Sequence, residues 1–363
     1  MELSAIRAGL PVLERYAYLN AGTNGPLPRR TGEAMANALD RDLRDGRSSK
    51  AYFESMLEGR EQVREGLAHV LSAAPSDMAL ANSTTQACNV VYTGLGLRPG
   101  DEVVTTDSEH PGLFGGLAAS GAELRVVPVR DLPADEVLGA LQASVSSRTR
   151  LIALSQISWL TGAVFPVQEL ADCGVPLLVD GAQATGAIPV DVGALGCDFY
   201  TVSAQKWLLG PDVTGGLYVR PERVEELRLT FPSYGSWDWE AETEYTPKAG
   251  AARFDPGWIP FGSLSGLKES LAFAEDAGPE RFDHARRMAG RLRELLSERA
   301  EVITEPDQAT LVTWKAEGDS REIVLRLADA GVVIRDIPKL GWLRASCGFW
   351  TSEDDLQRLI SAL

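Results

Sequence analysis

The stretch from Val175 to Lys206 sets the tightest limits on how this chain can fold. Two short apolar runs, Val175-Pro176-Leu177-Leu178-Val179 and Phe199-Tyr200-Thr201-Val202, are each bounded by turn residues. Runs of that kind read as strands covered on both faces. The first ends on Asp180 and the second leads into Ser203-Ala204-Gln205-Lys206-Trp207. Open α/β sheets place their ligands outside the carboxyl ends of the strands. An acid that holds a protonated pyridine nitrogen and a lysine that forms a Schiff base are what pyridoxal phosphate requires of a host. Of the lysines at 50, 206, 248, 268, 315 and 339, only Lys206 directly follows a strongly apolar, strand-like run.

Asp180-x-x-Gln183, Pro189-Val190-Asp191-Val192, Asp198-Phe199 and Ser203-x-Gln205-Lys206-Trp207 occur in that order. Together they resemble the core signature of the class V aminotransferases. That family of fold type I pyridoxal phosphate enzymes includes cysteine desulfurases, isopenicillin N epimerase-like proteins and several lyases. The resemblance implies a mainly parallel α/β sheet flanked by helices in a large domain over 17–263. It also implies a smaller α+β domain built from 1–16 and 264–363. Lys206 is then the Schiff-base lysine and later the base that moves the α-proton, while Asp180 keeps the pyridine nitrogen protonated. Gln183 tunes the ring hydroxyl. Ser203 and Gln205 are phosphate contacts, Gln205 standing where desulfurases have a histidine.

Alternating strands and helices over 78–220 predict right-handed crossovers and a mostly parallel sheet. Met78–Ala81 reads as a strand followed by Asn82-Ser83-Thr84-Thr85-Gln86 and an apolar helix. Hydroxyl residues at such a turn cap the helix, and its free N–H groups and dipole suit a phosphate. The family resemblance assigns Thr84 and Thr85 to that phosphate. It assigns His110, after the strand at 101–106, to stacking on the cofactor ring. Near the start, Tyr18-Leu19-Asn20-Ala21-Gly22-Thr23 resembles a segment that walls the substrate pocket, which makes Asn20 and Ala21 substrate-binding candidates. Near the end, Leu343-Arg344-Ala345-Ser346 resembles the family strand whose arginine grips a substrate carboxylate, as a planar fork can. The competing reading of Arg344 is a structural ion pair. The segment 46–52 reads as a polar loop, 229–250 as irregular and aromatic, and 264–300 as helical.

Other chemistries lose support. The formal net charge of −16 and the absence of a basic block argue against nucleic acid and membrane partners. No Gly-x-Gly-x-x-Gly or P-loop is present, and His69, His110 and His284 show no metal-ligand spacing. Cys88, Cys173, Cys197 and Cys347 are scattered, as thiols in a reducing cytoplasm are.

The chain departs from the desulfurases in places. Ser158-Trp159 stands for their Ser-Asn, and Trp258 for a threonine that reaches the partner's phosphate. The stretch 335–344 has no cysteine, although a desulfurase needs a mobile thiolate there. The expected function is therefore a pyridoxal phosphate enzyme that acts on an amino acid through an external aldimine and a carbanion. The leading reaction is β-elimination of the C–S lyase type without a persulfide cysteine. An aminotransferase or epimerase is the alternative, and a non-catalytic pyridoxal phosphate-binding protein the reading from another class. The resemblance also implies a homodimer, with Arg253-Phe254-Asp255-Pro256-Gly257 reaching toward the partner subunit.

Overall fold

The structure, a computed structural model, describes residues 1–241 and 244–363. Its central sheet has seven strands in the order Met78–Ala81, Gly215–Val219, Phe199–Ser203, Leu177–Asp180, Thr149–Ser155, Glu102–Thr106 and Glu123–Val127. The pairings are parallel except around Gly215–Val219, which runs antiparallel to both its neighbours. Every residue of Leu177–Asp180 and Phe199–Ser203 is buried, which is why these strands read as unbroken apolar runs. The edge strand Glu123–Val127 is largely exposed and carries charge instead.

One face of the sheet is covered by Thr84–Leu95 and its neighbours, with Cys88, Val91, Leu113 and Leu117 packed on Leu151, Leu178 and Phe199. On the other face lies the largest apolar cluster, to which the helix Phe261–Asp276 contributes Leu264, Leu267 and Leu271. Full burial of each such leucine contributes about 1.5–3 kcal/mol. A second, three-stranded antiparallel sheet has the order Leu311–Lys315, Trp342–Ser346, Arg335–Ile337. Ala17–Tyr18 pairs in parallel with Val332–Val333, and Ala17 and Leu19 pack with Leu292, Leu296, Leu343 and Leu359. The expected boundary at 263 thus falls inside a helix that packs with the large sheet. We propose that the smaller unit begins at the helix Glu280–Ser297 and takes Ala17–Leu19 with it.

Three local expectations change. The loop at 46–52 ends early, because the Ser49 hydroxyl caps the helix Lys50–Val70 by accepting from the Tyr52 N–H at 3.1 Å. The helical span 264–300 is two helices broken at Gly278-Pro279, where Gly278 has φ +82°. Within 229–250, Trp237–Ala241 and Glu244–Pro247 pair as an antiparallel hairpin, with Glu242 and Thr243 outside the described residues.

Two buried carboxylates anchor this frame. Asp255 accepts from Arg60 (2.8 Å), Arg64 (2.8 Å) and the Leu80 N–H (2.7 Å), which ties the 250–258 segment to the sheet. At the amino-terminal edge of the sheet, Glu102 accepts from Thr149 (2.7 Å), Ser146 (2.8 Å) and Arg125 (2.5 Å). Burial opposes ionisation of Glu102, but those hydrogen bonds outweigh it and hold its pKa at about 2.

Candidate active site

The carboxyl ends of the central strands bring the expected groups together. Asp180 lies buried between Ser155 and Thr201, its register partners on the adjacent strands. Its Oδ1 accepts from the Ala182 N–H (2.9 Å) and the Thr201 hydroxyl (3.1 Å). Oδ2 has no donor among the described residues, which leaves one carboxylate oxygen for a cationic N–H. Lys206 follows the next strand, and its Nζ has neither a hydrogen bond nor an ion pair among the described residues. Desolvation lowers the Lys206 pKa to about 8. Asp180 opposes that shift, and the Arg344 and Arg335 charges add to it.

The Lys206 loop is held by a strap, Asn20–Gly25. The Gly25 N–H donates to the Gln205 carbonyl at 2.8 Å, and a Cβ on Gly25 would fall 2.1 Å from the Lys206 oxygen. Glycine is the residue that allows this approach. Further along the strap, the Gly22 N–H donates to Ser346 Oγ (3.0 Å) and the Gly22 carbonyl accepts from Gln183 Nε2 (2.9 Å). Gln183 Oε1 in turn accepts from the Trp207 indole at 3.0 Å. The Gln183 amide therefore braces strap to lysine loop and has one N–H to spare. Asn20 Oδ1 accepts from the Thr23 hydroxyl (2.9 Å), while Ala21 is wholly buried in the largest cluster. Ala21 offers only backbone to a substrate.

At the helix Thr84–Leu95 the capping hydroxyl is that of Ser83, which accepts from the Gln86 N–H at 3.2 Å. The Thr84 and Thr85 hydroxyls make no hydrogen bond among the described residues, so both stand free beside the positive end of the helix. Ser203 Oγ donates to Gln205 Oε1 at 3.0 Å, which leaves the Gln205 amide N–H groups as donors.

His110 caps the helix Pro111–Ser120. Its Nδ1 accepts from the Gly112 N–H at 3.0 Å, so the neutral ring carries its proton on Nε2. Desolvation, then the Lys206 charge, lowers its pKa to about 4. The ring meets Trp159 edge-on, with centroids 5.1 Å apart.

Arg344 is 0 % exposed. Its Nη1 donates to the Trp159 carbonyl at 2.8 Å, whereas Nε and Nη2 are buried without an acceptor. Among the described residues no carboxylate pairs with it, so the structural ion-pair reading finds no partner. Desolvation, reinforced by Arg335, lowers its pKa to about 9. An unpaired buried cation costs several kcal/mol, a cost that an incoming carboxylate offsets.

Sequence reasoning missed the junction around Trp159. Its ring lies beside His110 and 5.6 Å beneath the Arg335 guanidinium, and its carbonyl holds Arg344. The available signal was its position at a strand end where the desulfurases have asparagine. Glu109, the residue before His110, was not among the expected site residues either.

A strand-end carboxylate with one free oxygen, an unpaired lysine just past the next strand and a hydroxyl-rich helix start define a host for a phosphorylated pyridine aldehyde. The Aminotransferase class-V family model matches residues 17–359, and the chain belongs to that family of fold type I pyridoxal phosphate enzymes. It is 30% identical to an isopenicillin N epimerase of Streptomyces clavuligerus, over 95% of this chain and 93% of that one. It is 27% identical to a probable cysteine desulfurase of Methanothermobacter thermautotrophicus, over 99% and 96%. Among solved structures, the cystine C–S lyase C-DES in complex with its product, cysteine persulfide, superposes with a TM-score of 0.93. The identity there is 28%, over 97% of this chain and 98% of that one. A C-DES variant with glycine linked covalently to pyridoxal phosphate also gives 0.93, at 27% identity over 98% of both chains. Among the described residues no helix is long and apolar enough to cross a membrane, and no cluster of possible metal ligands occurs.

Proposed function

We propose that this enzyme cleaves the Cβ–S bond of a sulfur-bearing amino acid by β-elimination, without a persulfide-forming cysteine. The observation that carries the reading is the segment from Arg335 to Arg344. Arg335–Ile337 and Trp342–Ser346 pair directly, so the segment is a short hairpin with no thiol. Cys347, beyond it, is 0 % exposed, and burial pushes its thiol far above neutrality. The likeness to a cystine C–S lyase supports the same chemistry.

When bound, pyridoxal phosphate supplies an electron sink for the charge left at the substrate α-carbon. Asp180 Oδ2 would receive the pyridine N–H. Thr84, Thr85, Ser203 and the Gln205 amide would hold the phosphate, and the spare Gln183 N–H would be available to the ring hydroxyl. The neutral His110 ring supplies a flat wall and an Nε2 proton. Arg344, with Arg335 beside it, takes the substrate carboxylate, and Asn20 closes that side. Lys206, with a pKa brought toward neutrality, takes the Cα proton. The Cβ–S bond then breaks and sulfur leaves with the bonding pair. Hydrolysis of the unsaturated remainder gives pyruvate and ammonia.

The active form is a homodimer. Phe231, Tyr234 and Trp258 are among the exposed large aromatic residues, and Asp255 fixes the base of the segment that presents Trp258. Epimerisation is the second reading, favoured by the match to isopenicillin N epimerase over nearly the full length of both chains. An amino-acid panel on the purified protein separates the readings. Pyruvate with sulfide or persulfide supports elimination, inversion at Cα supports epimerisation, and transfer to a 2-oxo acid identifies a transaminase. Binding without turnover leaves a cofactor-binding protein.

A further inference from the structure

Glu109 is 9 % exposed, has no ion-pair partner among the described residues, and makes three hydrogen bonds. Its Oε1 accepts from the Thr106 hydroxyl at 2.7 Å. Its Oε2 accepts from the Ser155 N–H at 2.9 Å and the Ser155 hydroxyl at 2.6 Å. Thr106 and Ser155 end two strands that pair in parallel within the central sheet. The loop after the first strand carries His110, and the loop after the second carries Trp159. Those are the two rings that meet edge-on. Ser155 is also the register partner of Asp180. One side chain therefore ties together the strand ends that lead to His110 and Trp159, next to the strand that ends on Asp180.

We propose that Glu109 is a positioning residue that clamps the His110 turn to Ser155, at the end of the strand that leads to Trp159, and so sets the imidazole against Trp159. Burying a carboxyl group here is costly, and apolar packing alone would hold the strands together without it. A bidentate acceptor for a hydroxyl on one strand and for both donors of a serine on the next does what packing cannot, because it fixes the relative height of the two loops. Desolvation and the neighbouring Asp180 raise the Glu109 pKa to about 7, against the pull of its Ser155 and Thr106 hydrogen bonds. All three contacts are hydrogen bonds from neutral donors, so the clamp works by shape and does not need a full charge on Glu109.

That distinction gives the test. A glutamine at 109 can still accept from Ser155 and donate to the Thr106 hydroxyl, whereas alanine abandons all three bonds. With only three histidines in the chain, the His110 imidazole can be followed by NMR in the purified holoenzyme and assigned with His110→Gln. In Glu109→Ala the His110 ring signals should lose the displacement imposed by Trp159, and its titration midpoint should rise by about one pH unit or more. Glu109→Gln should leave both close to wild type. Equal shifts in the two variants would show a charge effect and overturn the proposal, as would an unmoved His110 in Glu109→Ala. If Glu109→Ala does not fold, Ser155→Ala removes one donor and should displace His110 part of the way; no displacement there overturns the proposal too. The inference rests on His110 belonging to the site, but its signals report position whether or not amino acids are turned over.

Discussion

Arg335 and Arg344 are direct register partners on adjacent antiparallel strands, and neither forms an ion pair among the described residues. Two guanidiniums placed side by side repel, and Arg344 is buried as well. The arrangement is strained until an anion arrives. Arg344→Ala should therefore retain bound cofactor but lose about 2–5 kcal/mol of substrate binding in the transition state, some 30- to 5000-fold in kcat/KM. Its melting temperature should stay level or rise, since an unsatisfied buried cation is removed. Arg344→Lys should recover only part of the activity, because a point charge cannot reproduce the fork. Normal turnover in the alanine variant would move the carboxylate contact to Arg335.

Lys206 attacks only as the neutral amine, and its pKa lies near 8. The rate at which cofactor-free protein takes up pyridoxal phosphate should climb as pH rises through about 8 and level off above it. Absorbance during reconstitution measures this. In Lys206→Ala, borohydride should fix no cofactor to the protein. Peptide mapping that finds label on another lysine would end the assignment.

Removing the Asp255 carboxylate strands Arg60 and Arg64 in a buried site. Asp255→Ala should destabilise the fold by about 3–5 kcal/mol, and denaturant titration would measure the loss. Unchanged stability would mean that the two arginines find other acceptors.

For Glu102 the folded-state pKa is depressed, so its contribution is complete above the ordinary carboxylate range and is lost as pH falls toward about 2. The melting-temperature gap between wild type and Glu102→Gln should be widest near neutrality and close in acid. A gap that is constant with pH would assign the loss to packing rather than charge.

Light scattering should find a dimer, and a charge at Trp258 should weaken it together with activity. A fully active monomer would refute the homodimer as the active form.

The fold was legible wherever burial forces a pattern. Leu177–Asp180 and Phe199–Ser203 are apolar because both faces are covered, and Asp180 and Lys206 stand out as polar groups at the ends of such runs. What stayed hidden depends on tertiary distance. Nothing local says that Gln183 spans Gly22 and Trp207, that the Trp159 carbonyl holds Arg344, or that Glu109 reaches Ser155. The hairpin at 237–247 was read as irregular although Trp237-Asp238-Trp239-Glu240-Ala241 alternates apolar and polar residues as a strand does. Ser83 took the cap from the neighbouring threonines by being one residue earlier.

The strap Asn20–Gly25 is pinned to Ser346 by the Gly22 N–H and to the Gln205 carbonyl by the Gly25 N–H. A short tether fixed at two points transmits displacement instead of absorbing it. The strand that bears Arg344 and the backbone just before Lys206 are therefore held at a fixed separation by Gly22 and Gly25 of one short segment.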